Sequence, residues 1–366
     1  MIRKDSKLDK IGNLIAIGEV QYAHHLMQTT SLNERDVIYP VLNGIKQLIE
    51  KGNINRAELA AHMFNINMAY GNQSTYILEG MDKLIYDGDF ENAAKTAHEF
   101  HLSFFQLQTS MDKWTTNLIN SNEPIKAATL IFNLNPPLEF KKKFEKKLYS
   151  QVYTLIEKDE IIDAAFIIKT FEIDYKKFDP IRTKIIEHLR YLMKNNSYAH
   201  MPLIAEAFHL KKSECNEFKK YVIDVINDCI RDKCISFALE FMNCFKIKKS
   251  EIRKYVTDHL KQFIESNSID VAKNLKSKFF ISENEIKQLI LFNIKKELLS
   301  NGRYMYASEL ALTFPLNVDE LDTLKPLILK NIKTLLDEVK INDAEDLVIA
   351  FNISPNELED FLKNAH

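Results

Sequence analysis

Seven basic residues in the middle of the chain have the spacing of an anion-binding surface. Residues 141–260 carry a net charge of +6, whereas residues 1–140 and 261–366 each sum to −4, which gives −2 for the whole chain. We assign these cations to two adjacent positions of a repeated helix: the first holds Lys141, Lys219, Arg253 and Lys287, and the second holds Lys142, Lys220 and Lys254. Stacked helices would align such positions in a column that can bind phosphates or an acidic protein.

The same residues also fit an ordinary solvated helix surface. Three of them have an opposite charge four residues further on, in the pairs Lys141–Glu145, Lys220–Asp224 and Lys254–Asp258. Such pairs form along a single exposed helix. Asp179 and Asp322 also interrupt the predicted column. Three interpretations therefore stay open: a solvated surface, a site for an acidic protein partner, and a site for RNA.

Cysteine and histidine side chains have the chemistry of metal ligands, but their spacing does not favour a site. The four cysteines are Cys215, Cys229, Cys234 and Cys244, without the CxxC pairs of zinc sites. Cys215 and Cys229 are expected at opposite ends of one helix, roughly 20 Å apart. His98 and His101 share a helical face, yet no third ligand accompanies them. We expect thiols in a reducing cytosol, with no metal and no cofactor.

Catalytic motifs are missing from the sequence. No glycine lies between Gly88 and Gly302, which excludes a P-loop, a GxGxxG loop and a GxSxG elbow there, and none occurs elsewhere. The sequence also has no HExxH motif and no EF-hand loop. We therefore predict a protein without catalytic residues, one that is not an enzyme.

A signature that recurs nine times defines the elements that position the basic residues. Each copy has a Phe, an aliphatic residue two places later and usually an Ala seven places earlier, and successive Phe residues are 32–39 apart. The Phe residues are Phe64, Phe100, Phe132, Phe171, Phe208, Phe245, Phe279, Phe314 and Phe351. The small residues are Ala57, Ala93, Ala164, Ala238, Ala272, Ala307 and Ala344, with Ile125 and Met201 in the other two copies. A period near 35 predicts a repeat array, which indicates architecture and leaves function open.

Each repeat is predicted to form two antiparallel helices with a buried Phe at the turn between them. In the sixth repeat Ile235, Ala238, Phe241, Met242 and Phe245 share one helical stripe. Helix starts are indicated by capping boxes at Ser282–Glu285, Asn317–Glu320 and Ser354–Glu357. Helix ends are indicated by Gly52, Gly88, Asn122, Asn196, Asn267 and Gly302, whose residue types tolerate a left-handed cap.

The run from Arg56 to Ile66, RAELAAHMFNI, resembles the repeats of clathrin-heavy-chain and vacuolar-sorting proteins. The repeat length is also similar to that of tetratricopeptide and pentatricopeptide units, although the Trp/Leu-Gly/Tyr pattern of the former is absent. This resemblance is to the broad class of helical-hairpin solenoids and covers about residues 18–366. It implies a right-handed superhelical stack of hairpins.

We therefore expect an all-α fold, an α-solenoid of about nine to ten helix-turn-helix repeats of 32–39 residues. One solenoid should span residues 1–366, with an N-terminal cap at 1–50, central repeats at 51–338 and a capping repeat at 339–366. The expected function is a non-enzymatic scaffold for a protein or peptide partner, and the alternative is RNA binding through the basic column. No signal peptide or transmembrane segment is recognisable, so we expect a cytoplasmic protein without membrane insertion.

Overall fold

The computed structural model describes residues 4–30, 32–66, 73–301 and 303–364, and these residues contain helices and no strand. Contacts divide the chain into two compact units, Met1–His209 (unit 1) and Leu210–His366 (unit 2), and each is described by itself. Within each unit, helical hairpins follow one another and neighbouring hairpins pack in series. The predicted all-α solenoid class is therefore confirmed. The division into one solenoid with caps at 1–50 and 339–366 stays a prediction.

Unit 1 alternates between two kinds of helix, which we call the first and the second helix of each hairpin. It begins with a second helix and ends with a first helix. The first helices are α2 (Val20–Thr29), α4 (Ile54–Met63), α6 (Phe90–Glu99), α8 (Pro124–Leu134), α11 (Ile161–Phe171) and α13 (Met201–Ala207). The second helices are α1 (Lys4–Ala16), α3 (Glu34–Glu50), α5 (Gln73–Tyr86), α7 (Phe104–Asn120), α10 (Glu145–Glu157) and α12 (Arg182–Lys194). The short helix α9 (Leu138–Lys142) precedes α10, and 3-10 segments at Tyr175–Ile181 and Tyr198–His200 precede α12 and α13. Each first helix packs on the next one, from α2 to α13.

Unit 2 has the same alternation. Its first helices are α15 (Ile235–Cys244), α17 (Ile269–Phe279), α19 (Tyr304–Thr313) and α21 (Ile341–Ala350). Its second helices are α14 (Lys212–Arg231), α16 (Lys249–Glu265), α18 (Glu283–Lys296), α20 (Val318–Asp337) and α22 (Pro355–Asn364), and a π-helical turn at Glu297–Asn301 extends α18. The first helices pack in order from α15 to α21. Two parallel layers of helices result, and their apolar stripes meet in the core between them.

The repeated Phe closes the first helix of its hairpin. In the sixth repeat Phe245 is buried at the end of α15, Lys246 has a left-handed φ of 57°, and the Ile247 N–H donates to the Met242 carbonyl at 2.9 Å. Seven copies have this left-handed residue directly after the Phe: Asn65, His101, Glu172, His209, Lys246, Phe280 and Asn352. In these copies the Phe-x-aliphatic signature is therefore a Schellman helix end, in which the aliphatic residue also covers the last turn. Phe314 differs, because Pro315 follows it and α19 ends without a left-handed residue.

The third repeat departs from the predicted signature. Phe132 was expected in the core, but 66% of its surface is exposed, and Ile125 is exposed as well. Their places are taken by residues two positions later: Ala127 is fully buried, Leu134 ends α8 before the left-handed Asn135, and Pro136 is buried. With Leu134 in place of Phe132, the repeat lengths narrow to 34–37 residues. The prediction for Phe132 and Ile125 was wrong because α8 is apolar on more than one face.

The predicted helix starts and ends agree with the structure wherever it describes them. The Ser282, Asn317 and Ser354 backbone N–H groups each donate to the glutamate three residues later, at 2.7–2.9 Å. Gly52, Gly88, Asn122, Asn196 and Asn267 all have left-handed φ values between hairpins. Gly302 lies outside the described residues. Asp159, Lys233 and Val339 have the same conformation and were not predicted. Lys and Val do not favour this conformation, whereas Asp tolerates it.

Candidate interaction surfaces

The two predicted basic residues of unit 1 lie on the short helix α9. The Lys141 ammonium is mostly buried and lies 3.5 Å from the Glu172 carboxylate, at the start of the loop after α11. The predicted partner Glu145 instead accepts a hydrogen bond from the Tyr149 hydroxyl at 2.6 Å. Lys142 is exposed. Only one of the two cations is therefore open to an anion from solvent.

In unit 2 three of the five predicted cations reach across to the next hairpin. The Lys219 ammonium on α14 lies 2.5 Å from Glu251 on α16, and the Arg253 Nε on α16 donates to Glu285 on α18 at 2.8 Å. Lys287 on α18 pairs with Glu320 on α20. A further pair, Lys325–Glu357 at 2.6 Å, joins α20 to α22. We call these four pairs the second-helix ladder.

The glutamates of the ladder are the capping glutamates of the second helices. Glu285 accepts from the Ser282 N–H at 2.9 Å and from its hydroxyl at 2.7 Å while it also accepts from Arg253. The hydrogen bonds from Arg253 and Ser282 lower the pKa of Glu285 to about 2. Those from Lys325 and Ser354 lower the pKa of Glu357 to about 2 as well. Each of these carboxylates therefore caps the start of its own helix and also pairs with a cation on the preceding second helix.

The ladder corrects the register of the predicted column. Arg253 and Lys287 lie two residues after the capping glutamate of their own helix, whereas Lys219 and Lys325 lie five residues after theirs. These two positions are one helical turn apart and face the same neighbour. Sequence reasoning missed Lys325 because the column was extended through Asp322, which pairs with Lys325 at 3.2 Å. A pattern in the sequence could have predicted these pairs, since each cation of the ladder is followed about 32 residues later by a capping glutamate.

Lys220 and Lys254 remain exposed in unit 2, like Lys142 in unit 1. The predicted pairs Lys220–Asp224 and Lys254–Asp258 do not form an ion pair, and none of these three lysines has one within the described residues. The ladder thus neutralises Lys219, Arg253 and Lys287, and what faces solvent is a set of isolated lysines.

The described residues contain no group of three or more His, Cys, Asp or Glu side chains with the geometry of a metal site. Cys215 and Cys229 are buried, Cys244 is half-buried, Cys234 is exposed, and none of the four is in a disulfide bond. Burial raises the pKa of Cys229 to about 11, which keeps this thiol protonated and unreactive at neutral pH. His98 is exposed beside Glu99, and His101 occupies the left-handed position after α6.

An apolar surface on the first helices of unit 1 was missed by sequence reasoning. Each of these first helices has a buried small residue, which is Ala127 on α8 and Ala164 on α11. We define the outer row of a first helix as the three residues that lie two positions before, two positions after and five positions after this small residue. On α8 this row holds Ile125, Thr129 and Phe132, and on α11 it holds Ile162, Phe166 and Lys169. The exposed Phe132 ring packs on the half-buried Phe166 ring with centroids 5.9 Å apart. We call Ile125, Phe132, Ile162 and Phe166 the Phe132 surface.

The signal for the Phe132 surface was present in the amino-acid sequence. The α8 sequence PIKAATLIFNL and the α11 sequence IIDAAFIIKTF are apolar almost all round. A helix of this kind is normally surrounded by protein. On α8 the outer row nevertheless leaves Ile125 and Phe132 exposed, and on α11 Ile162 and Phe166 are only half-buried, so apolar surface remains in contact with water.

Comparisons with known proteins give no family for this chain. No protein-family profile matches it, and no curated protein matches it significantly. A solved structure described as a circular tandem repeat protein with novel repeat topology and enhanced subunit contact surfaces aligns with 99% of the chain at 11% identity. The chain spans 65% of that structure's length, and the TM-score of 0.12 supports no conclusion about fold or function. None of the described helices is long and apolar enough to cross a membrane.

Proposed function

We propose that this chain is a non-enzymatic helical-repeat scaffold that binds a protein or peptide partner through the Phe132 surface. The observation that carries the proposal is the exposure of Phe132, which rests on Phe166 and has 66% of its surface in contact with water. Aromatic side chains of this kind are enriched among the residues that dominate protein-protein binding energy.

The composition of the surface supports a protein ligand. Removing apolar area from water contributes about 25 cal/mol per Å², so covering two aromatic rings and two isoleucines is favourable. The nearest charged residue of the outer row, Lys169, already pairs with Glu206 at 2.6 Å. A partner therefore meets apolar side chains at the centre and a neutralised pair at the edge, the usual anatomy of a protein interface.

RNA binding is the second candidate, and the exposed Lys142, Lys220 and Lys254 are what favours it. The second-helix ladder argues against a large contribution from the other predicted cations, since their charges already face carboxylates. Phosphate contacts impose a steep dependence of affinity on salt concentration. Binding of mixed-sequence RNA at two salt concentrations, by the wild type and by a triple change of these lysines to Gln, measures that contribution.

The protein-binding proposal is tested with partners captured from the cells that make the protein, identified by mass spectrometry and then measured again in purified form. Phe132→Ser should weaken the purified complex by about tenfold or more, since hot-spot residues contribute over about 2 kcal/mol. Phe105→Ser is the matched control, because Phe105 is also exposed but lies on a second helix. Equal affinity of the Phe132→Ser variant and the wild type would contradict the proposal.

A further inference from the structure

The outer row of unit 2 has a different chemistry from that of unit 1. Its twelve positions lie on α15, α17, α19 and α21, and all of them are exposed. They include one carboxylate on each helix, Glu240, Asp270, Glu309 and Asp346, and no Lys or Arg. The chain therefore presents a row of negative charge on this face of unit 2, whereas the glutamates of the second-helix ladder in the same unit are each paired with a cation.

At α19 and α21 this acidic row is combined with exposed apolar side chains. Met305, Glu309 and Leu312 follow one another at i, i+4 and i+7 along α19, and on α21 Asp346 and Ile349 occupy the places of Glu309 and Leu312. The exposed fractions are 73% for Met305, 61% for Leu312 and 69% for Ile349. The two helices pack directly on each other, which puts these two stripes side by side.

Within the described residues, the carboxylates at this place have no counter-ion. Glu309, Glu345 and Asp346 make no ion pair within the part of the chain that the structure describes. Neither α19 nor α21 contains a Lys or Arg. The nearest cations in sequence are engaged elsewhere: Lys340 pairs with Glu338 at 2.7 Å, and Arg303 lies 3.8 Å from Glu297. We call Met305, Glu309, Leu312, Asp346 and Ile349 the acidic-apolar patch.

A scattered exposed Leu or Ile is ordinary on a protein surface. Here Leu312 and Ile349 occupy equivalent outer positions of adjacent helices, and Met305 lies on the same row of α19. Glu309 and Asp346 share these rows and make no ion pair within the described residues. A ligand that covers this patch can therefore make apolar contacts and pair its charges with these carboxylates at the same time. The ligand that matches both has apolar residues on one side and Lys or Arg beside them, which is the pattern of a basic amphipathic helix.

We propose that the acidic-apolar patch docks a basic amphipathic peptide segment of a partner protein. Apolar residues of the segment cover Met305, Leu312 and Ile349, and its Lys or Arg side chains pair with Glu309 and Asp346. This inference extends the proposed scaffold function to a second surface, and it stands independently of the Phe132 surface.

The test uses the full chain and a short synthetic peptide of Leu and Lys spaced to form an amphipathic helix, with binding followed by fluorescence anisotropy. Two variants remove the two halves of the patch: Glu309→Gln with Asp346→Asn, and Leu312→Ser with Ile349→Ser. Each should weaken binding by about tenfold, and the first should also reduce the dependence of affinity on salt. Circular dichroism checks that both variants remain helical, as expected for exposed positions.

Three controls show whether peptide binding depends on this patch in particular. Glu58→Gln with Glu187→Gln removes two exposed carboxylates of unit 1 and should leave peptide binding unchanged. Phe132→Ser should also leave it unchanged, so that failure of the proposed function is distinguished from failure of this inference. A peptide with Glu in place of Lys should not bind.

The proposal is overturned if the wild type does not bind the Leu/Lys peptide, or if the Glu58 and Glu187 control loses as much affinity as the patch variants. Sedimentation of the wild type tests a different occupant. If the wild type is a dimer and either patch variant is a monomer, a second copy of the chain covers the patch. That result would also overturn the proposal.

Discussion

At the scale of single residues, the same residue type has opposite roles in this chain. Phe171, Phe208 and Phe245 are almost completely buried at the ends of their first helices, whereas Phe132 is exposed. The difference arises at the helix end, because α8 stops at Leu134 and not at Phe132. In the seven copies with a left-handed residue directly after the Phe, that Phe is buried, whereas Leu134 is half-buried.

Truncation of two of these Phe residues should therefore have very different effects on stability. Phe245→Ala removes a fully enclosed ring and should lower the free energy of unfolding by about 3–5 kcal/mol. Phe132→Ala loses one edge of an aromatic pair at the surface and should lower it by about 1 kcal/mol or less. Urea unfolding followed by circular dichroism measures both. Similar losses for the two variants would contradict the assignment of Phe132 to the surface.

At the scale of elements, the second-helix ladder joins each second helix of unit 2 to the next. Every pair uses a carboxylate that also caps its own helix, so helix formation and helix stacking depend on the same group. Exposed pairs contribute little one at a time, but a repeated network with fixed geometry contributes more.

This arrangement predicts a loss of stability in acid. The native pKa of Glu285 and Glu357 is about 2, below the ordinary value of 4.5, and the pKa of Glu251 is also lowered by Lys219. A depressed native pKa means that the unfolded chain takes up protons first as the pH falls. The ladder's contribution is therefore complete above about pH 5 and is lost between about pH 5 and pH 2.

The measurement is the thermal midpoint between pH 7 and pH 3 for the wild type and for Glu285→Gln with Glu357→Gln. The double variant should have a lower thermal midpoint than the wild type at pH 7, and its midpoint should fall less between pH 7 and pH 3. High salt should reduce the difference between the midpoints of the two proteins at pH 7. If both proteins lose the same amount between pH 7 and pH 3, these two glutamates do not account for the acid sensitivity.

At the scale of the whole molecule, each hairpin packs mainly on its neighbours in the chain. In such an array, stability is close to a sum over repeats and their interfaces. A surface formed by two adjacent first helices should then tolerate changes several repeats away in the same unit.

Removal of the last hairpin tests this additivity. A chain that stops after Glu338 lacks α21 and α22 and loses the Lys325–Glu357 pair. It should keep the helical signal of the remaining repeats and melt at a lower temperature, because only one inter-repeat interface is removed. Complete loss of the helical circular dichroism in a soluble truncated protein would show that the array folds as one inseparable unit.

Structural features that are decided by residues close together in the sequence could be predicted from the sequence alone. The hairpin period, the buried Ala positions, the capping boxes and five left-handed helix ends all arise within a few residues of chain, where residue type and hydrogen-bonding geometry decide the outcome. The left-handed Lys233 and Val339 escaped prediction because their side chains do not favour that conformation, and the surrounding structure imposes it.

The amino-acid sequence by itself thus determined that this protein is an array of helical hairpins and where most of its helices begin and end. Only the tertiary structure decided which charges remain free and which apolar residues reach the surface. Lys219, Arg253 and Lys287 meet partners 32–33 residues away, a distance at which no local pattern specifies the pairing. Phe132 is exposed because α8 is apolar on several faces, and packing against α6 and α11 selects which face is covered.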